Sequence, residues 1–145
     1  MPRPRRLNFG ILSVGIAIEA ASGVAMLDYE GLITQRTRVS AMGPVAQAFE
    51  AVSHGFVADF RGAVFTLDDA GWLAASQASY YAKVPGAMLV SPVALPGAVA
   101  HAVALRNRGY LRRVFTDERE AGAWAREQAR LFRAQDQWRM SQSLP

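Results

Sequence analysis

Residues 57–72 read VADFRGAVFTLDDAGW. The first half is rich in Val, Ala and Phe, the composition of a strand buried in a sheet. The polar Asp68-Asp69 pair then leads into an apolar run through Trp72, Leu73, Ser76 and Tyr80, spaced as a helix. A strand that feeds a helix through a short acidic turn is the repeating unit of an open α/β sheet. Arg61-Gly62 interrupts the apolar run, and a break or bulge is expected there.

Working outward from this unit, the same alternation recurs. Upstream, Leu12, Val14, Ile16 and Ile18 alternate with Ser13, Gly15 and Ala17, the period of a strand with one buried face. Phe9–Glu19 and Val24–Glu30 therefore form an opening hairpin around Ala20–Gly23. Thr34 caps a helix whose apolar stripe is Val39, Met42, Val45, Phe49 and Val52, with Pro44 imposing a kink or a late start. His54-Gly55 reads as the end of that helix, with Gly55 left-handed and His54 near the negative pole of the dipole. Downstream, Gly86–Val90 is a short strand, Pro96 opens a helix through Val99, Val103 and Leu105, and Arg112–Phe115 is the last strand. Thr116 caps a long final helix with Asp117, Glu118 and Glu120 in its first turn. The expected fold class is α/β: a single-domain mixed β-sheet with an opening hairpin, in the order β-β-α-β-α-β-α-β-α. Residues 1–8 are expected to be a flexible basic leader, 9–138 the domain and 139–145 a tail.

The composition narrows function. The 145 residues contain no cysteine and two histidines, His54 and His101, which removes thiolate chemistry and leaves little for a metal. The net charge of +4 is unevenly spread: residues 1–6 carry three arginines, 7–105 are net −3, and 106–145 are net +4. Lys83 is the one lysine. The uncharged run Val84–Leu105 has the length of a membrane span, but Pro85, Pro92 and Pro96 divide it. The basic leader and apolar run at the N-terminus imitate a secretory signal, against which the two-residue alternation argues for a strand. A protein without a transmembrane segment, cytoplasmic in location, is expected.

Two constellations stand out. Asp68 and Asp69 lie where a strand's carboxyl end meets a helix, a frequent site of function in such sheets. Helix capping and the helix dipole are the favoured account of them, and two acids there repel rather than cradle phosphate. There is neither a Gly-rich loop with lysine nor a Gly-x-Ser-x-Gly elbow, and no catalytic residue, cofactor or metal ligand is assigned. On the final helix, Arg119, Arg126, Arg130 and Arg133 fall opposite the apolar positions Ala121, Trp124, Ala125, Leu131 and Phe132. This basic stripe suits phosphates or an acidic protein face. Without interleaved aromatics, nucleic acid is not the expected partner. Trp138, close to the chain end, needs a surface to bury against, and a homodimer would supply one.

The hairpin ending YEGLIT, the stretch VADFRGAVFTLDDAGW and the ending RRVFTDEREAGAWARE together resemble the STAS domain, the fold of anti-sigma-factor antagonists, and its small stand-alone bacterial relatives. The resemblance covers residues 9–133. It implies a non-enzymatic, regulatory protein-interaction module that presents Thr66, Asp68, Asp69, Ser91 and Pro92 to a protein partner. In antagonists of that family the turn reads Asp-Ser-Ser-Gly and its second serine is phosphorylated. Here the matching run is Asp68-Asp69-Ala70-Gly71, so Ala70 removes the hydroxyl and leaves Thr66 as the nearest substitute. The alternative is a binder of a small apolar or lipid-like ligand between helices and sheet, where Ala74, Ala75, Ala78, Ala98, Ala100, Ala102 and Ala104 leave space.

Overall fold

The computed structural model describes residues 5–49, 54–65 and 84–143. Six strands form one sheet: β1 (Arg5–Phe9), β2 (Leu12–Glu19), β3 (Val24–Ile33), β4 (Gly55–Phe65), β5 (Gly86–Leu89) and β6 (Arg112–Phe115). Their spatial order is their order in the chain. β1, β2 and β3 are antiparallel neighbours, and β3 to β6 are parallel. This is the mixed sheet expected from the alternation of strands and helices. The helix expected to begin at Asp68 lies outside the described residues.

Three described helices flank the sheet: α1 (Gln35–Phe49), α2 (Leu95–Arg106), preceded by a 3-10 turn at Pro92–Ala94, and α3 (Glu118–Ser143). Ala41 and Val45 of α1 join Ala98 and Ala102 of α2 in the larger core, against Leu12, Val14, Leu27, Tyr29, Phe56 and Phe60. Tyr29 and Phe60 stack with ring centroids 4.7 Å apart. We call this the inner face. On the outer face Ala121, Ala125 and Ala129 of α3 pack on Val24, Val57, Ala87, Leu89 and Phe115. The small side chains bring α3 close to the sheet: a Cβ added at Gly55 would lie 3.2 Å from the Cβ of Ala129.

Several boundaries differ from the sequence reading. The expected leader 1–8 contains a strand, because Arg5–Phe9 pairs antiparallel with Ile16–Leu12. Its burial is one-sided, with Leu7 and Phe9 on the inner core, Asn8 exposed between them and Arg5 and Arg6 exposed before them, so composition there resembles a solvated tail. The expected hairpin is present as β2 and β3, and Gly10, with φ +69°, turns an additional strand, β1, into β2 ahead of it. Thr34 caps α1 as expected: its Oγ1 accepts from the Thr37 amide at 3.1 Å, and its own amide donates to Thr37 Oγ1 at 2.8 Å. Pro44 lies inside α1, which starts at Gln35. Gly55 opens β4 instead of closing a helix, and the His54 amide donates to the Gly23 carbonyl. The α3 cap is Asp117, not Thr116: its Oδ1 accepts from the Glu120 amide at 2.9 Å. α3 also runs through residues 139–143, which the sequence assigned to a tail. The expected irregularity at Arg61-Gly62 is present, where the β3–β4 register shifts between Asp28 and Glu30.

Candidate functional site

α3 crosses the outer face over β4, β5 and β6, reaches the start of β3 at Val24, and leaves β1, β2 and the rest of β3 without a helix on that face among the described residues. Alternation along the strands decides what is displayed there. Leu7, Val14, Ile16, Leu27 and Tyr29 point to the inner core, so Arg6, Gly15, Ala17, Met26 and Asp28 point outward. Registered neighbours share a face: Arg6 is beside Gly15, Gly15 beside Asp28, and Asp28 beside Asp59. Gly15 holds Arg6 low over the sheet, since a Cβ there would come within 3.0 Å of Arg6 Nη2.

The result is a groove of about 370 Å³, floored by Gly15, Ala17, Met26, Val57 and Leu89 and rimmed by Arg6, Asp28, Asp59 and Glu118. Its charges are arranged in two clusters. Arg6 donates to Asp28 Oδ2 at 2.8 Å and Ser13 Oγ at 2.5 Å and lies 3.6 Å from Glu30. Arg61 chelates Asp59 through Nε and Nη2, at 3.0 and 2.8 Å, and reaches Glu118 at 3.5 Å. These contacts, the Asp59 hydrogen bond foremost, push the Arg61 pKa further up. Four carboxylates thus share two guanidiniums, and a band of net negative charge lies on a chain whose total is positive. Beyond it, at the carboxyl end of β3, exposed Ile11 (59%) and Val64 (64%) flank Leu32, whose amide donates to the Ile11 carbonyl and which is registered with Val64.

The residues singled out from the sequence are distributed differently. Thr66, Asp68 and Asp69 lie outside the described residues. Ser91 is half-buried before the 3-10 turn, its side chain making no cap, and Pro92 is exposed as the first residue of that turn. Asp59 is registered with Leu89, and β4 continues six residues further to Phe65. At about 3.3 Å per residue that is roughly 20 Å of strand. Ser91 and Pro92 therefore follow the middle of β4, well short of its end.

The basic stripe is divided. Arg126 donates to both Glu19 oxygens, at 2.8 and 3.1 Å, and ties α3 to the end of β2. Arg130 pairs with Glu127 of its own helix at 2.6 Å. Arg119 and Arg133 are exposed. The Arg126 and Ser22 hydrogen bonds hold the Glu19 carboxyl below the ordinary glutamate range.

Sequence reasoning did not single out the Arg6–Asp28–Glu30 and Asp59–Arg61–Glu118 clusters. Their signal was present in the small and polar residues at every second position of β2 and in Asp28 and Glu30 of β3. Which helix covers that face is a matter of topology, and a strand pattern alone does not carry it.

No family model matches the sequence, and no curated protein matches it. The structure resembles the crystal structure of an uncharacterised protein of the DUF3478 family, with a SpoIIAA-like fold, from Shewanella loihica PV-4. The TM-score is 0.54 at 15% identity, over 82% of this chain and 97% of that one. The fold is therefore SpoIIAA-like, the architecture of STAS domains, as the three quoted stretches implied. Among the described residues no helix is long and apolar enough to cross a membrane.

Proposed function

We propose that this chain is a non-enzymatic, regulatory protein-interaction module of STAS-like fold, and that its partner docks on the open half of the outer sheet face. The observation that carries the reading is the groove between β1 and β4: an apolar floor next to a band of carboxylates that arginines hold in fixed positions. A pre-ordered polar rim around an apolar centre is the anatomy of a recognition surface. The excess of carboxylates favours a partner element that brings cations to the rim. The lock on Asp59, chelated by Arg61 through its backbone amide and guanidinium, supports a positioning role over proton transfer. With Ala70 at the phosphoacceptor position of the resemblance, docking here is constitutive and not relieved by phosphorylation at that residue.

The test is affinity capture from the source cells with wild type, Ala17→Arg, which fills the groove with a long cation, and Ser91→Arg. The reading expects a specific protein retained by wild type and Ser91→Arg and lost with Ala17→Arg. Loss with Ser91→Arg alone would move the docking site to the Ser91-Pro92 loop and overturn it.

A further inference from the structure

The final helix is longer than the body it covers. At 1.5 Å per residue its 26 residues span about 39 Å. Its last buried residue is Ala129, Phe132 is half-buried, and residues 133–142 are exposed. A helical extension without a face to cover gains nothing from packing, so its side-chain pattern is informative. Trp124, Gln128, Leu131, Gln135, Trp138 and Gln142 recur at alternating spacings of four and three. That is the 3.5-residue period of a seam between two helices, apolar at one of its two core positions and glutamine at the other. The seam starts on the body, where Trp124 packs on Phe115 with ring centroids 5.8 Å apart. It ends in the open, with Leu131 40% and Trp138 64% exposed.

We infer that this seam is a self-association surface, and that the face bearing Leu131, Gln135 and Trp138 packs against the same face of a second copy of this chain. This goes beyond the docking groove, which lies on the other side of α3, where Arg126 reaches Glu19. Three observations select a second copy over another occupant. A glutamine amide both donates and accepts, so glutamines in a seam satisfy one another when the partner presents the same residues. The seam carries almost no field: of the positions flanking it from 125 to 141, only Glu127 and Arg139 are charged, with opposite signs. The arginines at 126, 130 and 133 stand away from it, so two copies meet without like-charge repulsion, whereas an acidic or strongly basic partner has nothing to recognise. Finally, two indoles as exposed as Trp138, one from each copy, remove at most roughly 300 Å² from water. That is up to about a third of the ~1,000 Å² that marks a specific interface. A groove of about 310 Å³ at the foot of the extension, lined by Leu111, Leu131 and Phe132 together with Gln128, Gln135 and Arg139, adds a mixed polar and apolar surface for a second copy to cover.

Sedimentation of the full chain across a hundredfold range of concentration tests this, with Trp138→Glu and Leu131→Glu as seam variants and Arg133→Glu as a control on the opposite side. Far-UV circular dichroism verifies that each variant is folded. The expected result is a reversible dimer for wild type and Arg133→Glu, with dissociation shifted at least about tenfold to higher concentration in both seam variants. A wild-type chain that stays monomeric throughout, or a dimer that neither seam variant weakens, overturns the inference. Since the groove variant Ala17→Arg leaves the seam intact, it keeps the dimer whether or not the docking reading holds, so the two fail separately.

Discussion

Phe56, Gly86 and Arg112 are registered side by side across β4, β5 and β6. The absence of a side chain at Gly86 is what lets the Phe56 ring lie flat over the sheet: a Cβ there would fall 2.2–2.7 Å from three ring carbons. The Arg112 guanidinium then stacks 4.7 Å from the ring centroid, and its Nη1 donates to the Val84 and Leu111 carbonyls at 2.8 and 2.9 Å. A buried cation is tolerable here because carbonyl dipoles and a ring face surround it. Gly86→Ala is expected to lose about 1–3 kcal/mol through overpacking. Trimming the ring should relieve the clash, so Gly86→Ala combined with Phe56→Leu should lose less than the sum of the two single changes in urea unfolding. Additive losses would show that the ring does not meet the alanine methyl. The glycine was legible in the sequence only as part of an apolar strand. Its role depends on which residue of β4 lies beside it, and register is decided by the whole sheet.

Among elements, β1 and α3 depart furthest from their sequence signals. Arg5 and Arg6 make β1 look like a solvated leader, yet Leu7 and Phe9 pack on the inner core and Arg6 spans two carboxylates outside. Deleting residues 1–9 should lower the melting temperature by several degrees and leave β2 as an exposed edge prone to aggregation. A deletion with unchanged melting and solubility would restore the leader reading. α3 was legible as a helix with an apolar stripe, because its period is strong. Its tie to the sheet was not, since Glu19 and Arg126 are 107 residues apart. That tie has a pH signature. The folded Glu19 pKa is depressed, so the folded state holds fewer protons than the unfolded chain just below the ordinary glutamate range. The stabilisation is complete above that range and is lost as pH falls through the depressed folded value. Glu19→Gln should therefore cost up to about 1 kcal/mol near neutrality, as expected of an exposed pair, and nothing once the carboxyl is protonated. Thermal unfolding of both proteins between neutral and strongly acid pH measures this, and curves that stay parallel would refute it.

For the molecule as a whole, the fold class was readable because the sheet's inner core imposes alternation on β2 and β3 and helical spacing on α1, and the outer face imposes helical spacing on α3. The candidate site was readable only in part. Small and polar residues on the outer positions of β2 signalled a face that packs differently, but the half left open by α3 is a property of the assembled layers. The sheet order carries one more consequence. Each strand lies beside its predecessor, so none has to be inserted between two strands already paired. A chain leaving the ribosome from its first residue can add every new strand to a waiting edge, with α1 and α2 laid down on the inner side as they emerge. The long final helix arrives last and reaches back across three strands to Glu19. Until Ala121–Ala129 are synthesised, no described element covers the outer side of the growing sheet. The stage at which a nascent chain most needs a chaperone is therefore the interval between completion of β6 and docking of Ala129.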